Sequence, residues 1–573
     1  MDNKKERKIK LKNIIIFLII ILIIIGSCIY FNFFDNISIK KDNNIYYLKG
    51  TEVEIPIYNE KFEIEENLKR GILITLYNND EVSDEKGNVY NKITYNDNVY
   101  YVLKDNVTTN KNKLATEEVM YVRTPATLYS DIEKGTIIGL VNKGDELSII
   151  GYDKLEQGRV NAYKVKIGEQ TGYVYGKYLV SNKDLSLAYY EPEKYHNVHA
   201  LSGHSLGGGS AENLDYYPVD KPSFENNKMP DVVYSLYLNG GKDVISNVDS
   251  YIEFAKTTKI NSFVVDIKDN EAPAYTSDVM KAMSPTNYNK ASNSKEDYKT
   301  AIQKIKDAGF YVIGRITVFK DKYYAEDHPE DAIMDTRTNT SFLHSNTYWP
   351  SPYRRNVWMF NVELAKEAVT EMGFNEIQFD YVRFPDRVLQ YERNGLMDFR
   401  NEYAEEKAQA IQRFLMYACD EIHKVGAYVS ADVFGESAHK YVTAYGQYWS
   451  AISNVVDVIS AMPYPDHFNK YEYNFKEPVW TKPYELLNFW GNTYVNPRQE
   501  GASTPAIVRT WIQTYDVPNY KHAGGYKYGA EQVEAQIKGL FDAGLNGGYM
   551  TWNSSSSLEK YKSQIAAYQK EYK

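Results

Sequence analysis

The 573-residue sequence holds two cysteines, Cys28 and Cys419. Two thiols cannot build the disulfide framework of a small secreted scaffold. Histidine is also scarce, with nine residues. His196, His199 and His204 lie near one another, but no carboxylate stands at a ligand spacing beside them, so no metal site is expected. The net charge of −10 is spread without a long block of one sign. A nucleic-acid partner would need a basic face, and none is offered. No Gly-x-Gly-x-x-Gly follows the first strand of the α/β portion, which removes the usual dinucleotide signature, and no cofactor is expected.

What is present is a globular balance, 43% apolar and 25% charged, long enough for two to four domains. Tyrosine stands out, with 53 residues. Its flat ring and hydroxyl suit wet binding surfaces, and it also suits β-strands.

Residues 1–13 are a basic tail, with Lys4, Lys5, Arg7, Lys8, Lys10 and Lys12. Residues 14–31 are uncharged and rich in Ile and Leu. That length approaches the minimum for a helix across a bilayer. The basic flank predicts a single-pass anchor with its tail inside and the remaining chain outside the cell. Two alternatives stand beside it. One is a cleaved signal peptide, although the core is long and the residues after it bulky. The other is a lipoprotein joined through Cys28, since Ile25-Gly26-Ser27-Cys28 resembles a lipoprotein cleavage box.

From 43 to 108 short alternating runs, punctuated by Gly, Asn and Asp, predict a small all-β module. The pattern recurs from 119 to 182, and the two endings correspond, "NVYYVLKDNV" and "TGYVYGKYLV". Two tandem small barrels are expected. The second resembles bacterial SH3-like domains through "YVRTPATLYS", "LVNKGDELSII" and "GYVYGKYL"; the first resembles them weakly. The resemblance implies either binding to cell-wall peptide or glycan, or a spacer.

Residues 183–228 are rich in Gly, Ser, Asn, Asp and Pro and read as a linker or surface loop. They contain Gly203-His204-Ser205-Leu206-Gly207, the Gly-x-Ser-x-Gly of a hydrolase nucleophile elbow. Such an elbow needs a buried strand before it and a helix after it, within a parallel sheet. Here small β modules precede it and two prolines follow, so the run reads as a glycine-rich connection.

From 229 to 573 eight strand candidates alternate with amphipathic helices: 233–239, 262–267, 311–319, 376–382, 427–434, 456–464, 506–515 and 547–552. Helical stretches such as 296–309 and 400–426 end in glycine, a helix stop. Eight such units predict an α/β fold, a (β/α)₈ TIM barrel, and its chemistry belongs at the C-terminal ends of the strands. Asp266, Lys268, Arg315, Asp380, Tyr381, Arg383, Asp432, Glu436, Tyr464, His467, Trp511, Gln513 and Trp552 fall at those ends. Several carboxylates flanked by Arg, Tyr and Trp suit cleavage of a glycosidic bond. One carboxylic acid protonates the leaving oxygen, and a second carboxylate attacks the sugar or activates water. Crowded acids drive their pKa values apart, which assigns the two roles.

"GFNEIQFDYVRFPD" (373–386), "VSADVFGE" (429–436) and "VDVISAMPYPDHF" (456–468) resemble a bacterial extracellular family of glycoside hydrolases with a TIM-barrel domain. The resemblance covers 229–573 and implies that fold and reaction class. Asp466 stands where that pattern has a small residue, which adds a charge beside His467. On the residues themselves, Asp380 is expected as nucleophile or general base, kept ionised by Arg383. Asp432, from the neighbouring strand, is its expected partner, with Glu436 in reserve. The expected site is thus catalytic Asp380, Asp432 and Glu436, with the other rim residues binding substrate. The expected partner is an extracellular or cell-wall polysaccharide. The rival reading is a protein that holds wall glycan without cutting it. Long aromatic segments after the third and sixth strands are expected to wall the groove.

Overall fold

The structure, a computed structural model of the chain, describes residues 46–188, 207–522 and 524–572. The expected anchor at 14–31, Cys28, Ser205 and the three clustered histidines lie outside the described residues. Among the described residues, no helix is long and apolar enough to cross a membrane.

The C-terminal portion is the barrel. Its strands are β1 (Val233–Leu238), β2 (Ser262–Asp269), β3 (Tyr311–Thr317), β4 (Glu376–Asp380), β5 (Tyr428–Phe434) and β6 (Val458–Met462). β7 comes in two pieces, Ile507–Val508 and Thr510–Gln513, and β8 is Gly548–Trp552. Successive strands pair in parallel from β1 to β6. The first piece of β7 pairs with β6, its second piece with β8, and β8 with β1. Arg509 sits at the break, its N–H donating to Ile459 O at 3.1 Å, so strand seven carries the sheet round from one neighbour to the other.

Side chains alternate across each strand, so every second residue enters the barrel. On β4 the inward set is Glu376, Gln378 and Asp380. At the bottom Glu376 accepts from Arg509 at 2.8 and 3.0 Å and from the Tyr311 hydroxyl at 3.1 Å. Gln378 lies above it, donating to Ser460 Oγ at 3.3 Å. Val233, Tyr237, Val264, Ile313, Trp511 and Met550 fill the rest of the interior, with Phe224 and Met229 packed against the same cluster. Layers of inward side chains make this a packed core with its open chemistry at one end.

The helices follow the amphipathic stretches. α1 (Lys295–Asp307) begins at Ser294, whose side chain accepts from Asp297 N, and is followed by left-handed Gly309. α2 is Arg355–Glu367. α3 (Lys407–Lys424) starts seven residues later than the amphipathic stretch 400–426, because Glu406 and Gln409 form a reciprocal capping box there. Residues 401–405 instead turn back on themselves, with Asn401 bonded to Glu405 in both directions.

The second half of the glycine-rich connection is fastened to the barrel. Ser210 N donates to Glu406, and Gln412 exchanges two hydrogen bonds with Asp215. Gly208 passes so close to Thr443 that any Cβ would overlap its carbonyl oxygen. Close backbone approach accounts for glycine here.

Both N-terminal β modules form seven-stranded sheets with one strand order, third-second-sixth-fifth-fourth-first-seventh, counting the main strands of each module from its start. The chain divides into two compact units. One takes the described residues to 117 together with 154–160, around a core of Leu48, Ile55, Ile57, Leu68, Ile74, Ile93 and Val102. The other takes 118–153 with everything from 161 onward, so most of the second module belongs to the barrel's unit. Asp420 on α3 explains why: its carboxylate accepts from Lys177 at 2.5 Å and from the Tyr178 hydroxyl at 2.9 Å. Tyr417 and Lys424 of the same helix donate to the carbonyls of Gly135 and Ile132.

Lys268 lies within the barrel wall, paired at 2.6 Å with Asp321, which also accepts from Asn287 and caps the helix at Tyr324. Both partners are fully buried. Breaking such a pair strands a charge, which costs about 3–5 kcal/mol. Lys268→Met should therefore lower the melting transition of the barrel unit by several degrees in calorimetry. A change below one degree would show that the pair is not buried as described.

Candidate active site

The centre of the barrel mouth is one guanidinium. Arg315, at the end of β3 and 2% exposed, donates to Asp380 Oδ2 at 2.5 and 3.1 Å. It donates to Asp266 Oδ1 at 2.8 Å, lies 3.5 Å from Asp269 Oδ1, and reaches 3.8 Å from Asp432 Oδ2. Four carboxylates from β2, β4 and β5 thus surround one cation. The Tyr237 and Trp552 rings flank it, with centroids 5.9 and 5.3 Å away.

Asp269 is 37% exposed, but Asp266, Asp380 and Asp432 are buried around the one guanidinium, so ionising all three together is costly. Asp432 is driven toward the neutral form. Its side chain is shut off from solvent, and burial followed by the neighbouring Asp380 charge pushes it well above the usual carboxylate range. Its Oδ1 accepts from Trp511 Nε1 at 2.8 Å. Its Oδ2 makes no hydrogen bond among the described residues. Asp266 is pushed up to about 6 by burial, against the pull of Arg315. The Tyr237 hydroxyl donates to its Oδ2 at 2.5 Å.

Asp380 is better placed for chemistry. The following residue, Tyr381, turns left-handed at φ 51°, and its N–H donates to Asp380 Oδ1 at 2.5 Å. A non-glycine residue in that conformation stores strain, as functional turns often do. Asp380 is held between that N–H and the guanidinium.

Arg383 does not pair with Asp380. It lies beyond the left-handed turn, donates to Phe384 O at 3.0 Å and Asp386 at 3.3 Å, and stands over the rings of Trp349, Tyr381 and Phe434. The cation serving Asp380 comes instead from the neighbouring strand.

Glu436 is the exposed carboxylate of the rim. It sits in the turn Gly435–Ala438 after β5, and accepts from the hydroxyls of Tyr441 at 3.0 Å and Tyr445 at 2.8 Å. Tyr464 is buried, its ring nearly parallel to that of Trp552 at 6.5 Å. His467 packs edge-on against Tyr464 at 5.1 Å, and burial lowers it below its ordinary value. Gln513 is built into the wall, accepting from Asp466 N and donating to Tyr515 O. Lys268 stays with Asp321, away from this cluster.

Sequence reasoning left Tyr237, Trp349 and His439 out of the site. Tyr237 was within reach: Val233, Ser235 and Tyr237 alternate along β1, which puts its ring on the inner face. Trp349 comes from the long segment after β3, and nothing local marks it as the ring beneath Arg383. Among the described residues, His328, Glu330 and Asp331 form a candidate metal cluster, as do Asp278, Glu367 and Glu371. Arg354 bonds Asp331 in the first, and Lys295 pairs with all three carboxylates in the second. Resident cations thus already satisfy both.

Barrel, acidic rim and aromatic flanks together define a class, the (β/α)₈ glycoside hydrolases. Residues 235–558 match the model of the family described as "Putative glycosyl hydrolase domain". That is more than half of the chain, and the chain belongs to this family of glycosidases. No curated protein matches the chain. Among solved structures it is similar to a hypothetical protein from Ruminiclostridium thermocellum ATCC 27405, at 33% identity over 35% of this chain and 97% of that one, TM-score 0.29. It is also similar to the PgaB (BpsB) glycoside hydrolase domain from Bordetella bronchiseptica, at 12% identity over 59% of this chain and 99% of that one, TM-score 0.40. A class V chitinase from Pseudomonas fluorescens Pf-5 is 12% identical over 59% of this chain and 100% of that one, TM-score 0.36.

Asp266 yields a signed prediction. Its folded value of about 6 lies above its ordinary 3.8, so the folded state keeps a proton that the unfolded chain releases. The stability it contributes is full below 3.8 and is lost as pH rises through about 6. Thermal unfolding of wild type and Asp266→Asn across this range should show the wild type losing up to about 3 kcal/mol relative to the variant. A gap constant with pH would mean that Asp266 does not hold this proton.

Proposed function

We propose that the chain hydrolyses glycosidic bonds of a cell-surface or extracellular polysaccharide, with Asp380 as nucleophile or general base and Glu436 as general acid. The observation that carries this reading is the division among the rim carboxylates. Asp432 and Asp266 are buried and driven toward the neutral form. Asp380 is ion-paired at the mouth and Glu436 is exposed. Asp432, enclosed beneath Trp511, then acts through Asp380. By staying neutral it leaves Arg315 to the charged carboxylate.

The bond changes follow. The bond between the anomeric carbon and the bridging oxygen breaks, and that oxygen takes the proton of Glu436. The anomeric carbon gains an oxygen, either from Asp380 directly or from a water that gives its proton to Asp380. In the first case a later water releases the sugar and Glu436 recovers its proton. Arg315 holds Asp380 in place, and the half-buried rings of Trp552 and Tyr381 offer flat faces to sugars.

Location belongs to the same proposal. The apolar run 14–31 behind a basic tail would hold the enzyme on the outer face of the membrane.

Asp380→Asn should lower glycan release by two to four orders of magnitude, assayed over a panel of wall and capsule polysaccharides. Glu436→Gln should lower polysaccharide cleavage comparably, yet slow a dinitrophenyl glycoside of the same sugar by less than about tenfold, because that leaving group needs no proton. Full release by both variants would remove Asp380 and Glu436 from the mechanism, whereas no release by the wild type, with glycan binding retained, would leave a binding protein rather than an enzyme.

A further inference from the structure

The hydroxyls beside Glu436 form a directed chain. Tyr441 donates to Glu436 Oε1 at 3.0 Å, and a hydroxyl has one proton to give. His439 Nδ1 lies 3.0 Å from the Tyr441 oxygen, so this nitrogen must carry the proton between them. In a neutral ring Nε2 is then bare, and it can accept from the Tyr473 hydroxyl at 3.2 Å. Burial keeps the ring neutral, lowering His439 below its ordinary value against the opposing charges of Glu436 and Glu472.

Two loops meet in this chain. Glu436, His439 and Tyr441 follow β5. Tyr473 follows β6 and is held left-handed at φ 55°. The His439 ring lies on Tyr494 with centroids 4.4 Å apart, and Tyr473 packs on Phe489 and Tyr494, both at 5.1 Å. Phe489 is 38% exposed, so this aromatic wall opens to solvent. Tyr445 holds Oε2 of this exposed carboxylate at 2.8 Å. The chain fixes where Oε1 points and ties that direction to the wall.

We propose that His439, neutral and protonated on Nδ1, is a positioning residue for the general acid: through Tyr441 it orients Glu436, and through Tyr473 it couples that orientation to the aromatic wall formed by Tyr473, Phe489 and Tyr494. The inference rests on the acid role given to Glu436 above. It adds a residue that never touches the reacting atoms, since the Tyr441 ring and the Glu436 carboxylate stand between His439 and the sugar. Outer partners of this kind commonly set the tautomer and aim of the group they support.

Nitrogen-15 spectra of the full chain, with His439 assigned by difference against His439→Phe, should show the neutral Nδ1–H tautomer at pH 7. Tyr441→Phe should move that ring toward the Nε2–H form. On the polysaccharide that the wild type cleaves, His439→Phe and Tyr441→Phe should each lower kcat about tenfold with KM within about twofold. Hydrolysis of the dinitrophenyl glycoside should stay unchanged, and the double variant should be no slower than either single one. If His439→Phe does not fold, His439→Gln serves both comparisons. An Nε2–H or doubly protonated ring at pH 7, a loss confined to KM, or losses that multiply in the double variant would each overturn the proposal. Polysaccharide cleavage left intact by Glu436→Gln would remove the acid assignment instead, while the tautomer measurement still decides whether the chain exists.

Discussion

The mouth of this barrel depends on a shortage of positive charge. Arg315 is the single guanidinium that Asp266, Asp269, Asp380 and Asp432 face together. Asp269 is partly exposed, but Asp266, Asp380 and Asp432 are all buried around that cation, where leaving some acids protonated costs least. The distance to the cation separates them. Asp432 and Asp266 shift upward, and Asp380 receives the closest ion pair. Tyr237 and Trp511 complete the arrangement by each donating to an oxygen of a shifted acid. Two aromatic donors thus do what a second cation would otherwise have to do.

The same economy runs down β4. Glu376, Gln378 and Asp380 point inward at successive levels, so one strand lines the barrel axis with polar groups from floor to mouth. Partners for the three levels come from β3, β6 and β7. Glu376 is held by Arg509 from β7 and Tyr311 from β3, Gln378 by Ser460 from β6, and Asp380 by Arg315 from β3. Buried polar groups are costly when unpaired. The pairings with Arg509 and Ser460 join strands that are not neighbours, and those with Tyr311 and Arg315 join adjacent ones.

Above that frame the rim is held from turns and loops. Glu436 occupies a short turn beyond β5, anchored by hydroxyls rather than by the guanidinium. Arg383 is enclosed by Trp349, Tyr381 and Phe434, so the loop after β3, the turn after β4 and the end of β5 share one cation among their rings. Away from the mouth, α3 carries Tyr417, Asp420 and Lys424, which fasten the second β module to the barrel's unit. One helix therefore packs the barrel on one side and holds that module on the other.

The sequence by itself determined the barrel. Eight β-branched runs separated by amphipathic helices leave few other ways to bury both faces of a parallel sheet, and all eight strands fall where the runs lie. It also placed Asp380, Asp432, Arg315 and Trp552 at the rim, because strand ends can be counted along the chain. Charge partners were not legible in that count. Arg383 stands nearest to Asp380 in sequence, yet a left-handed Tyr381 carries it away, and Arg315 arrives from 65 residues earlier. Lys268 reads like a rim cation and is instead buried against Asp321, because a register shift between Asp266 and Lys268 breaks the alternation of β2. Which acids keep their protons, and which one faces water, was decided only by folding. Burial and the sharing of one charge are properties of the space between strands, and no single strand contains them.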